Sequence, residues 1–531
     1  MRKHFLLPFL LFLLTGTLAN AQQPDSIYFY KDGAIVYGEG VTQIDSLTFH
    51  ATNYYDLQRS EAIYNELASH PELSIFTWMI LSAGMQNELI NKTIWAPTNE
   101  SFQGMDPKDL LDLNIVRRIL NNQMCKCQIT TAILSTGPRI ILMNSGKKLT
   151  FSKTETGYDM AGNTLLKSDL RVASSVIHMV GGKNPYQLNL WEYIDEVVGM
   201  DSLRSYIRSI NTPKLYRNIF INNVFKDTIT LVNNDMLEYL AKVDKEDSIY
   251  TVLLPDNEAF MEAYNRLLPY CKSPSGIPDQ SDAAKWSILK ELIFMGKLAT
   301  PLTNDSIYSV SGTKYLHPDS LFQHVTSTVS LSNGLAYRVN HLKAFEPGFQ
   351  KRKILIEAEE KLKNNIVAAN YTMSAMVNTY PFLSVSNGKY LFCNPTSSSP
   401  LTPLTITVPL PNTYAMKYNL YFVFVPTIVT DTTDLRPYKL DFYISTNGDV
   451  ANVQPTYTKI NTSNIITNPT ALTKVLVAEN FEFQNCTILH NPNAVSKLQL
   501  RVRNVGGTTA TELKNFNRSL RIDYILLEPV E

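Results

Sequence analysis

Cysteine and long apolar segments are both scarce in this sequence. Its 531 residues include five cysteines, an odd and sparse set that is no disulfide framework, so we expect ordinary thiols or one incidental bridge. Cys125 and Cys127 form a C-x-C pair, which is not the spacing of a common zinc site, although a metal or redox pair is the alternative interpretation. After the first 21 residues, no apolar run approaches the roughly 20 residues that cross a bilayer. We therefore expect no integral membrane span.

Excess charge and the usual catalytic motifs are also lacking. The 48 basic and 48 acidic residues balance, with a pI near 7.1, so nothing favours nucleic acid as a partner. There is no G-x-S-x-G elbow, no H-E-x-x-H zinc helix, no phosphate-binding glycine loop and no dinucleotide fingerprint. We predict that the protein is not an enzyme, and we assign no catalytic, cofactor-binding or metal-ligating residue.

The amino terminus has the form of a signal peptide, residues 1–21. Residues 2–4 are basic, residues 5–14 form an apolar core, and Ala19-Asn20-Ala21 supplies the small residues of a cleavage site. We expect an exported protein of a bacterial envelope, located in the periplasm, at the cell surface or outside the cell. Residues 22–50 then predict a short β-hairpin, because two alternating apolar runs flank Asp32-Gly33.

The strongest pattern is a ten-residue stretch that occurs twice, as Thr93 to Phe102 (TIWAPTNESF) and Thr251 to Phe260 (TVLLPDNEAF). Each copy predicts a buried strand that ends at proline and turns at once into a helix. Thr98 and Asp256 are the expected helix N-caps. The identical pairs are Thr93/Thr251, Pro97/Pro255, Asn99/Asn257, Glu100/Glu258 and Phe102/Phe260.

A second landmark repeats at nearly the same distance. A β-like run that contains His178 follows Pro97 by 81 positions, and one that contains Tyr337 follows Pro255 by 82. Equal spacing of both landmarks indicates that a whole domain is duplicated.

These residues resemble the fasciclin (FAS1) family, in which a strand–APTNE–helix motif is followed by a strand of the Asn-Gly-x-x-His-x-x-Asp kind. The resemblance implies fasciclin-like domains at residues 51–185 and 186–349. It also has departures: Ser174-Ser175 replaces Asn-Gly in the first copy, and Tyr337 replaces histidine in the second. The usual Tyr-His pair between the two motifs is missing, and Asn122-Gln123 stands near its place in the first copy.

Three residues of the duplicated motifs invite a chemical role. His178 is a candidate metal ligand or base, but its match to Tyr337 favours a structural hydrogen bond. Glu100 and Glu258 suggest a carboxylate pair, but each has the same local place in a different domain, where a first-turn charge suits the helix dipole. Paired glycosidase carboxylates must instead face one cleft.

Residues 350–531 predict a β-sandwich, because helical spacing gives way to short alternating runs rich in Thr, Asn and Tyr. The two ends of this region resemble the opening and closing strands of galactose-binding-like jelly rolls, the fold of many carbohydrate-binding modules. In that family, acidic residues at such ends can hold a structural calcium, which implicates Glu357, Glu359 and Asp523. The alternative is that these carboxylates are exposed at strand edges. No other cofactor is expected.

The predicted fold class is therefore α+β, with two tandem fasciclin-like domains followed by an all-β jelly-roll sandwich. We expect a non-enzymatic adhesion or binding protein whose fasciclin pair contacts surface or matrix proteins and whose sandwich binds carbohydrate. A glycan-active enzyme with its site in the sandwich and a structural surface subunit are the alternatives. Exposed aromatic residues are the best binding candidates, although core packing should claim most of them. The tyrosines considered are Tyr371, Tyr390, Tyr414, Tyr418 and Tyr457.

Overall fold

A computed structural model describes residues 26–31, 34–40, 54–221, 224–274, 277–349, 352–360, 366–367, 371–396, 402–445, 455–492, 496 and 498–530. The predicted signal peptide and the Asp32-Gly33 turn lie outside these ranges. The chain divides into two compact units, residues 1–185 and 186–531. Among the described helices, none is both long enough and apolar enough to cross a membrane.

The first unit begins with an antiparallel hairpin of β1 (Ser26–Lys31) and β2 (Ala34–Gly40), as the alternating runs predict. The rest of this unit, called the first module, is one seven-stranded sheet with helices against it, in the order β4-β3-β9-β8-β7-β6-β5. Its helices are α1 (Tyr54–Ala68), α2 (Ser74–Ser82), α3 (Pro107–Leu111) and α4 (Leu113–Asn122). Its strands are β3 (Thr93–Pro97), β4 (Met124–Cys125), β5 (Arg139–Leu142), β6 (Lys148–Thr154), β7 (Gly157–Met160), β8 (Asn163–Val172) and β9 (Ser175–Val180).

Strand β3 is buried along its whole length and separates two apolar clusters. Side chains alternate between the faces of a strand. Ile94 and Ala96 accordingly join the cluster formed with helices α1, α2 and α4, whereas Trp95 joins a second cluster with Phe151 and Met160. The predicted strand is thus the centre of the first module.

The second unit begins with the second module, residues 186–349, built around a four-stranded sheet of order β13-β12-β17-β16. Its helices are α5 (Leu190–Glu196), α6 (Asp201–Ser209), α7 (Asn257–Leu267) and α8 (Ile277–Leu289). Its strands are β10 (Asn211–Ile221), β11 (Val224–Asn234), β12 (Tyr250–Pro255), β13 (Ile293–Met295), β14 (Ser306–Tyr308), β15 (Lys314–Leu316), β16 (Val325–Leu331) and β17 (Gly334–Val339).

The same local pairing occurs in both modules. Strand β3 runs parallel to β9, with Trp95 opposite His178, and β12 runs parallel to β17, with Leu253 opposite Tyr337. The two landmarks that recur at equal spacing are therefore neighbouring strands in each sheet. A difference is the long β10–β11 hairpin between α6 and β12, which has no counterpart between α2 and β3.

The described residues after residue 349 form two six-stranded sheets, called the C-terminal sandwich. One has the order β20-β21-β29-β23-β27, with β18 also on β29, and the other β19-β22-β28-β24-β25, with β26 also on β24. The sheets share one apolar core, in which the rings of Phe422 and Phe442 lie 5.6 Å apart. A short helix, α9 (Glu512–Asn515), precedes the last strand. The strands are β18 (Ile354–Glu357), β19 (Ile366–Val367), β20 (Tyr371–Val377), β21 (Lys389–Pro395), β22 (Leu404–Pro409), β23 (Lys417–Phe424), β24 (Lys439–Ser445), β25 (Tyr457–Lys459), β26 (Ile465–Ile466), β27 (Thr473–Glu482), β28 (Gln499–Asn504) and β29 (Leu520–Pro529).

Candidate functional site

In each module, the duplicated threonine bonds to the loop that follows the short edge strand. The Thr93 hydroxyl donates to the Cys127 carbonyl at 2.6 Å and accepts from the Ile129 N–H at 2.7 Å. The Thr251 hydroxyl likewise donates to the Gly296 carbonyl and accepts from the Leu298 N–H, both at 2.8 Å. Each threonine therefore satisfies one donor and one acceptor of the chain that follows the short edge strand.

His178 and Tyr337 bond to this same chain segment. His178 Nε2 lies 3.0 Å from the carbonyl oxygen of Ile129, and the Tyr337 hydroxyl donates to the carbonyl of Leu298 at 2.8 Å. His178 is fully buried between Trp95 and Phe151, and burial lowers the pKa of its imidazole. The geometry is that of a structural hydrogen bond rather than of a base facing a cleft.

The predicted N-caps differ between the copies. Asp256 caps α7 by accepting from the Ala259 N–H at 2.8 Å, as predicted. The prediction for Thr98 is wrong: its side chain makes no capping bond, and residues Asn99–Phe102 form a single 3₁₀ stretch rather than an α-helix. Glu100 and Glu258 are exposed first-turn residues.

The duplicated asparagines instead tie each corner to a neighbouring helix. Asn99 Oδ1 accepts from the Ile75 N–H at the start of α2, and Asn257 Oδ1 accepts from the Ser202 N–H at the start of α6, both at 2.9 Å. These N–H groups lack partners within their own helices. The same three residue types, threonine, proline and asparagine, thus fix the strand-to-helix corner in both modules.

A different kind of surface lies on the sandwich. Strands β24, β25 and β28 place polar and aromatic side chains on the outer side of their sheet, while Leu440, Phe442, Leu500 and Val502 point into the core. Arg501 is paired with Tyr443 across the sheet, and Arg503 with Asp441. We name this surface the outer-face patch; it consists of Asp441, Tyr443, Tyr457, Arg501 and Arg503.

Contacts within the outer-face patch hold its side chains in place. The Arg501 guanidinium lies 3.3 Å from the centre of the Tyr457 ring, and its Nε donates to Thr407 at 3.0 Å. The Tyr457 hydroxyl donates to Gln499. Asp441 forms an ion pair with Lys459 at 2.9 Å. Burial raises the pKa of Asp441, but this ion pair and hydrogen bonds from two asparagine amides outweigh burial and keep the pKa below its usual range.

An exposed aromatic ring marks a second surface, the loop between β20 and β21. Phe382 is 81% exposed and lies against Tyr380, with ring centres 5.4 Å apart. Asn378 fixes this loop, because its Nδ2 donates to the carbonyls of Tyr380 and Leu383. A fixed loop that exposes a phenylalanine can offer it to a ligand.

Most of the tyrosines considered from sequence are core residues. Tyr371, Tyr390 and Tyr418 are buried, and Tyr414 packs against the core of the second module. Only Tyr457 of that group belongs to the outer-face patch. Sequence reasoning missed Tyr443 and Arg501, although residues 439–445 and 499–504 alternate apolar with polar side chains and so carried the signal.

Three carboxylates meet where the first and last sandwich strands pair. Glu357 pairs across the sheet with Tyr524, the residue that follows Asp523. We name Glu357, Glu359 and Asp523 the acidic cluster; all three are buried rather than exposed. Glu357 accepts from Ser386 and Asn387, and Asp523 accepts from the Ser386 N–H at 3.0 Å. Burial, and then the neighbouring Glu357 and Glu359, raises the pKa of Asp523 to about 7.

The acidic cluster fits a calcium ion in its donor chemistry. Calcium prefers carboxylate and carbonyl oxygens, and one oxygen each of Glu357 and Glu359 is buried without a hydrogen-bond partner. In the described ranges, no group of three or more His, Cys, Asp or Glu side chains is placed so that it could hold a metal ion. Backbone carbonyls, hydroxyls or waters would have to complete the coordination. The Cys125–Cys127 pair belongs to no such group either.

A family model matches the first module. The family model described as "Fasciclin domain" matches residues 71–182. No curated protein matches the chain. Among solved structures, an FAS1 domain pair from the insect cell adhesion molecule fasciclin I is similar at 14% identity, covering 54% of this chain and 97% of that one, with a TM-score of 0.19.

Two further solved structures are each similar to about a third of the chain. A family 35 carbohydrate-binding module from Clostridium thermocellum is 9% identical and covers 34% of this chain and 99% of that one, with a TM-score of 0.19. A carbohydrate esterase from Shiga toxin-encoding bacteriophage phi24B is 11% identical, with coverages of 34% and 98% and a TM-score of 0.20. These scores are too low to carry an argument about function. What the comparisons establish is a fasciclin domain at residues 71–182.

Proposed function

We propose that this chain is an exported, non-enzymatic binding protein whose C-terminal sandwich binds carbohydrate through the outer-face patch. The second module is proposed to be a further fasciclin-like domain, because its threonine, proline and asparagine corner repeats the contacts of the first. In this proposal the two modules contact surface or matrix proteins. The outer-face patch is the observation that carries the carbohydrate part.

The chemistry of the outer-face patch suits a sugar. Sugar rings present apolar C–H faces and a rim of hydroxyls, so they need an aromatic ring beside fixed donors and acceptors. Tyr443 and Tyr457 supply rings, while Arg501 supplies donors from a guanidinium held by Thr407. Tyr443, Tyr457 and Arg501 are each partly exposed, so a ligand can reach them from solvent.

A binding assay on the chain without residues 1–21 tests this proposal. Its affinity for a panel of neutral and uronic-acid polysaccharides is measured for the wild type and for Tyr443→Ala, Tyr457→Ala and Arg501→Ala. We expect each substitution to weaken binding about tenfold or more, which corresponds to about 1.4 kcal/mol. Tyr421→Ala is the matched control, because Tyr421 also lies under a cation, Lys474 at 3.9 Å, but on the other sheet.

The results separate the alternatives. If Phe382→Ala loses binding while the outer-face variants keep their affinity, the carbohydrate site lies at the β20–β21 loop instead. Release of new reducing ends from a bound polysaccharide would favour a glycan-active enzyme instead. Binding to no polysaccharide would contradict the carbohydrate proposal and leave protein contact by the two modules.

We also propose that the acidic cluster holds a structural calcium ion. Glu357, Glu359 and Asp523 would supply its carboxylate oxygens, and the ion would neutralise charges that burial disfavours. Calcium at about 100 times its dissociation constant should stabilise the fold by about 2.7 kcal/mol. We expect calcium to raise the melting temperature of the wild type over that in EDTA.

Substitution of a ligand provides the control for calcium. Asp523→Asn should abolish the calcium-dependent rise, whereas Glu482→Gln, which removes one exposed carboxylate of β27, should preserve it. An equal rise in Asp523→Asn, or no rise in the wild type, would exclude this site.

A further inference from the structure

The second unit brings together two cysteines that are far apart in sequence. Cys271 follows α7 and is completely buried in the core of the second module. Cys486 follows β27 of the sandwich and is partly buried. Cys486 packs against the same core that contains Cys271.

Backbone contacts set the two cysteines side by side. The Cys486 N–H donates to the carbonyl of Lys272, the residue after Cys271, at 2.8 Å. The Ala415 N–H donates to the carbonyl of Tyr270, the residue before Cys271, also at 2.8 Å. The segment around Cys271 is therefore fixed from both sides by the sandwich. Both side chains are thiols in the structure, and they are hydrogen-bonded to each other.

We propose that Cys271 and Cys486 form a disulfide bond that joins the second module covalently to the C-terminal sandwich. The other three cysteines lie elsewhere: Cys393 is buried in the sandwich core, and Cys125 and Cys127 belong to the first unit. The proposal rests on the proposed export, because disulfides persist in oxidising compartments.

The bond forms by exchange with an external disulfide, such as oxidised glutathione or a disulfide oxidoreductase. The Cys486 thiolate attacks the oxidant, forming a mixed disulfide and releasing one thiolate. The Cys271 thiolate then attacks the Cys486 sulfur and displaces the second thiolate. Two protons leave the protein, two electrons pass to the oxidant, and one S–S bond replaces two S–H bonds.

The folded environment determines when this happens. The hydrogen bond with Cys486, together with burial, raises the pKa of the Cys271 thiol, which disfavours the thiolate that must attack. Oxidation is therefore slow once the junction is closed and fast while the chain is still folding. Once formed, the buried bond is shielded from reductants.

Peptide mapping of the whole chain without residues 1–21 tests the proposal. The protein is refolded with reduced and oxidised glutathione, alkylated, digested with trypsin without reduction and analysed by mass spectrometry. We expect the peptide Leu267–Lys272 linked to Val475–Lys497. Alkylation of Cys271 and Cys486 in the refolded protein, or linkage of either to another cysteine, would overturn the proposal. Because the oxidant is supplied, failure here is distinct from failure of export, which is tested by locating the protein in cells.

A stability comparison provides a second readout. The loop closed by the bond is long, so its reduction should lower the melting temperature by about 5 °C. This difference should vanish in Cys486→Ser and remain in Cys393→Ser, the matched control with a buried thiol. A reduction-dependent shift of equal size in Cys486→Ser would contradict the assignment.

Discussion

His490 carries a charged contact between the two parts of the second unit. Its Nδ1 lies 2.7 Å from Asp235 Oδ2, its Nε2 lies 2.8 Å from Asp282 Oδ2, and its ring stacks on Trp286 at 4.0 Å. Burial opposes the imidazolium, but the two carboxylates outweigh it and raise the pKa of His490. No periodicity could reveal this contact, because Asp235 lies 255 positions away.

The raised pKa of His490 predicts a pH-dependent stability. The folded state holds the proton more tightly than the unfolded state, so this stabilisation is complete below pH ~6.5, the unfolded value, and is lost as pH rises through the folded pKa. We expect the free energy of unfolding to fall over that interval by at most about 1.4 kcal/mol per pH unit. Urea unfolding at several pH values measures it.

The matched variants for this prediction are His490→Asn and His317→Asn. His317 is exposed, with a positive φ that asparagine tolerates. Only His490→Asn should flatten the pH profile. The other ionisable groups facing His490 remain in both variants; they are Asp235, Asp282, Tyr206, which bonds Asp282 at 3.0 Å, and Lys285, which lies over the Tyr206 ring. An unchanged slope in His490→Asn would assign the pH dependence to them.

Among the secondary-structure elements, the strand-to-helix corner was the most predictable from sequence. Proline ends β3 at Pro97 and β12 at Pro255, as the absence of a proline N–H requires. The element after each proline was less predictable, since Asp256 begins an α-helix whereas Thr98 does not. Aspartate is a stronger N-cap than threonine, which agrees with the capping bond that Asp256 makes and Thr98 does not.

Other elements depart from the sequence pattern for tertiary reasons. Residues 235–243 have helical spacing, but only Met236–Leu240 form a short π-helix, directly after the β10–β11 hairpin. In the sandwich, the alternating runs at residues 418–425, 439–444 and 498–502 predict β23, β24 and β28 to within two residues of their ends. Alternation could not show that the outer-face patch forms, because cross-strand register decides which polar side chains meet.

The corner threonines predict a matched pair of stability losses. Thr251→Val keeps the shape of the side chain but leaves the Leu298 N–H and the Gly296 carbonyl without their bonds. We expect it to lower the free energy of unfolding by about 1–3 kcal/mol. Thr93→Val should cost a similar amount in the first module. Thr328→Val, at an exposed position of β16, is the control and should change it by less than about 0.5 kcal/mol.

Calorimetry of these three variants checks the prediction. If Thr251→Val and Thr328→Val behave alike, the corner hydroxyl is not a structural anchor. If Thr93→Val is neutral while Thr251→Val is not, the two corners do not share the same energetics. That second result would weaken the proposal that the second module repeats the first.

At the scale of the whole molecule, the sequence predicts a domain boundary within residues 186–531 at residue 349, where the second fasciclin-like domain ends and the sandwich region begins. The structure has separate apolar cores on either side of this point, yet both lie in one compact unit. The reason is a set of sandwich residues that pack against the core of the second module: Tyr414, Cys486 and Ile488. These residues lie on loops between strands, so no sequence pattern marks them as contacts.

This packing predicts that the second module is less stable without the sandwich. Removing residues 350–531 would expose the apolar surface that these loop residues cover and would remove the bonds to Tyr270 and Lys272. We expect the melting temperature of the fragment 186–349 to be more than about 5 °C below that of 186–531. Fragment 54–185 is the comparison, because its own two clusters complete its core; it should melt cooperatively by itself. Equal melting temperatures for 186–349 and 186–531 would mean that the loop contacts add nothing, and the junction would then be a hinge rather than a rigid connection.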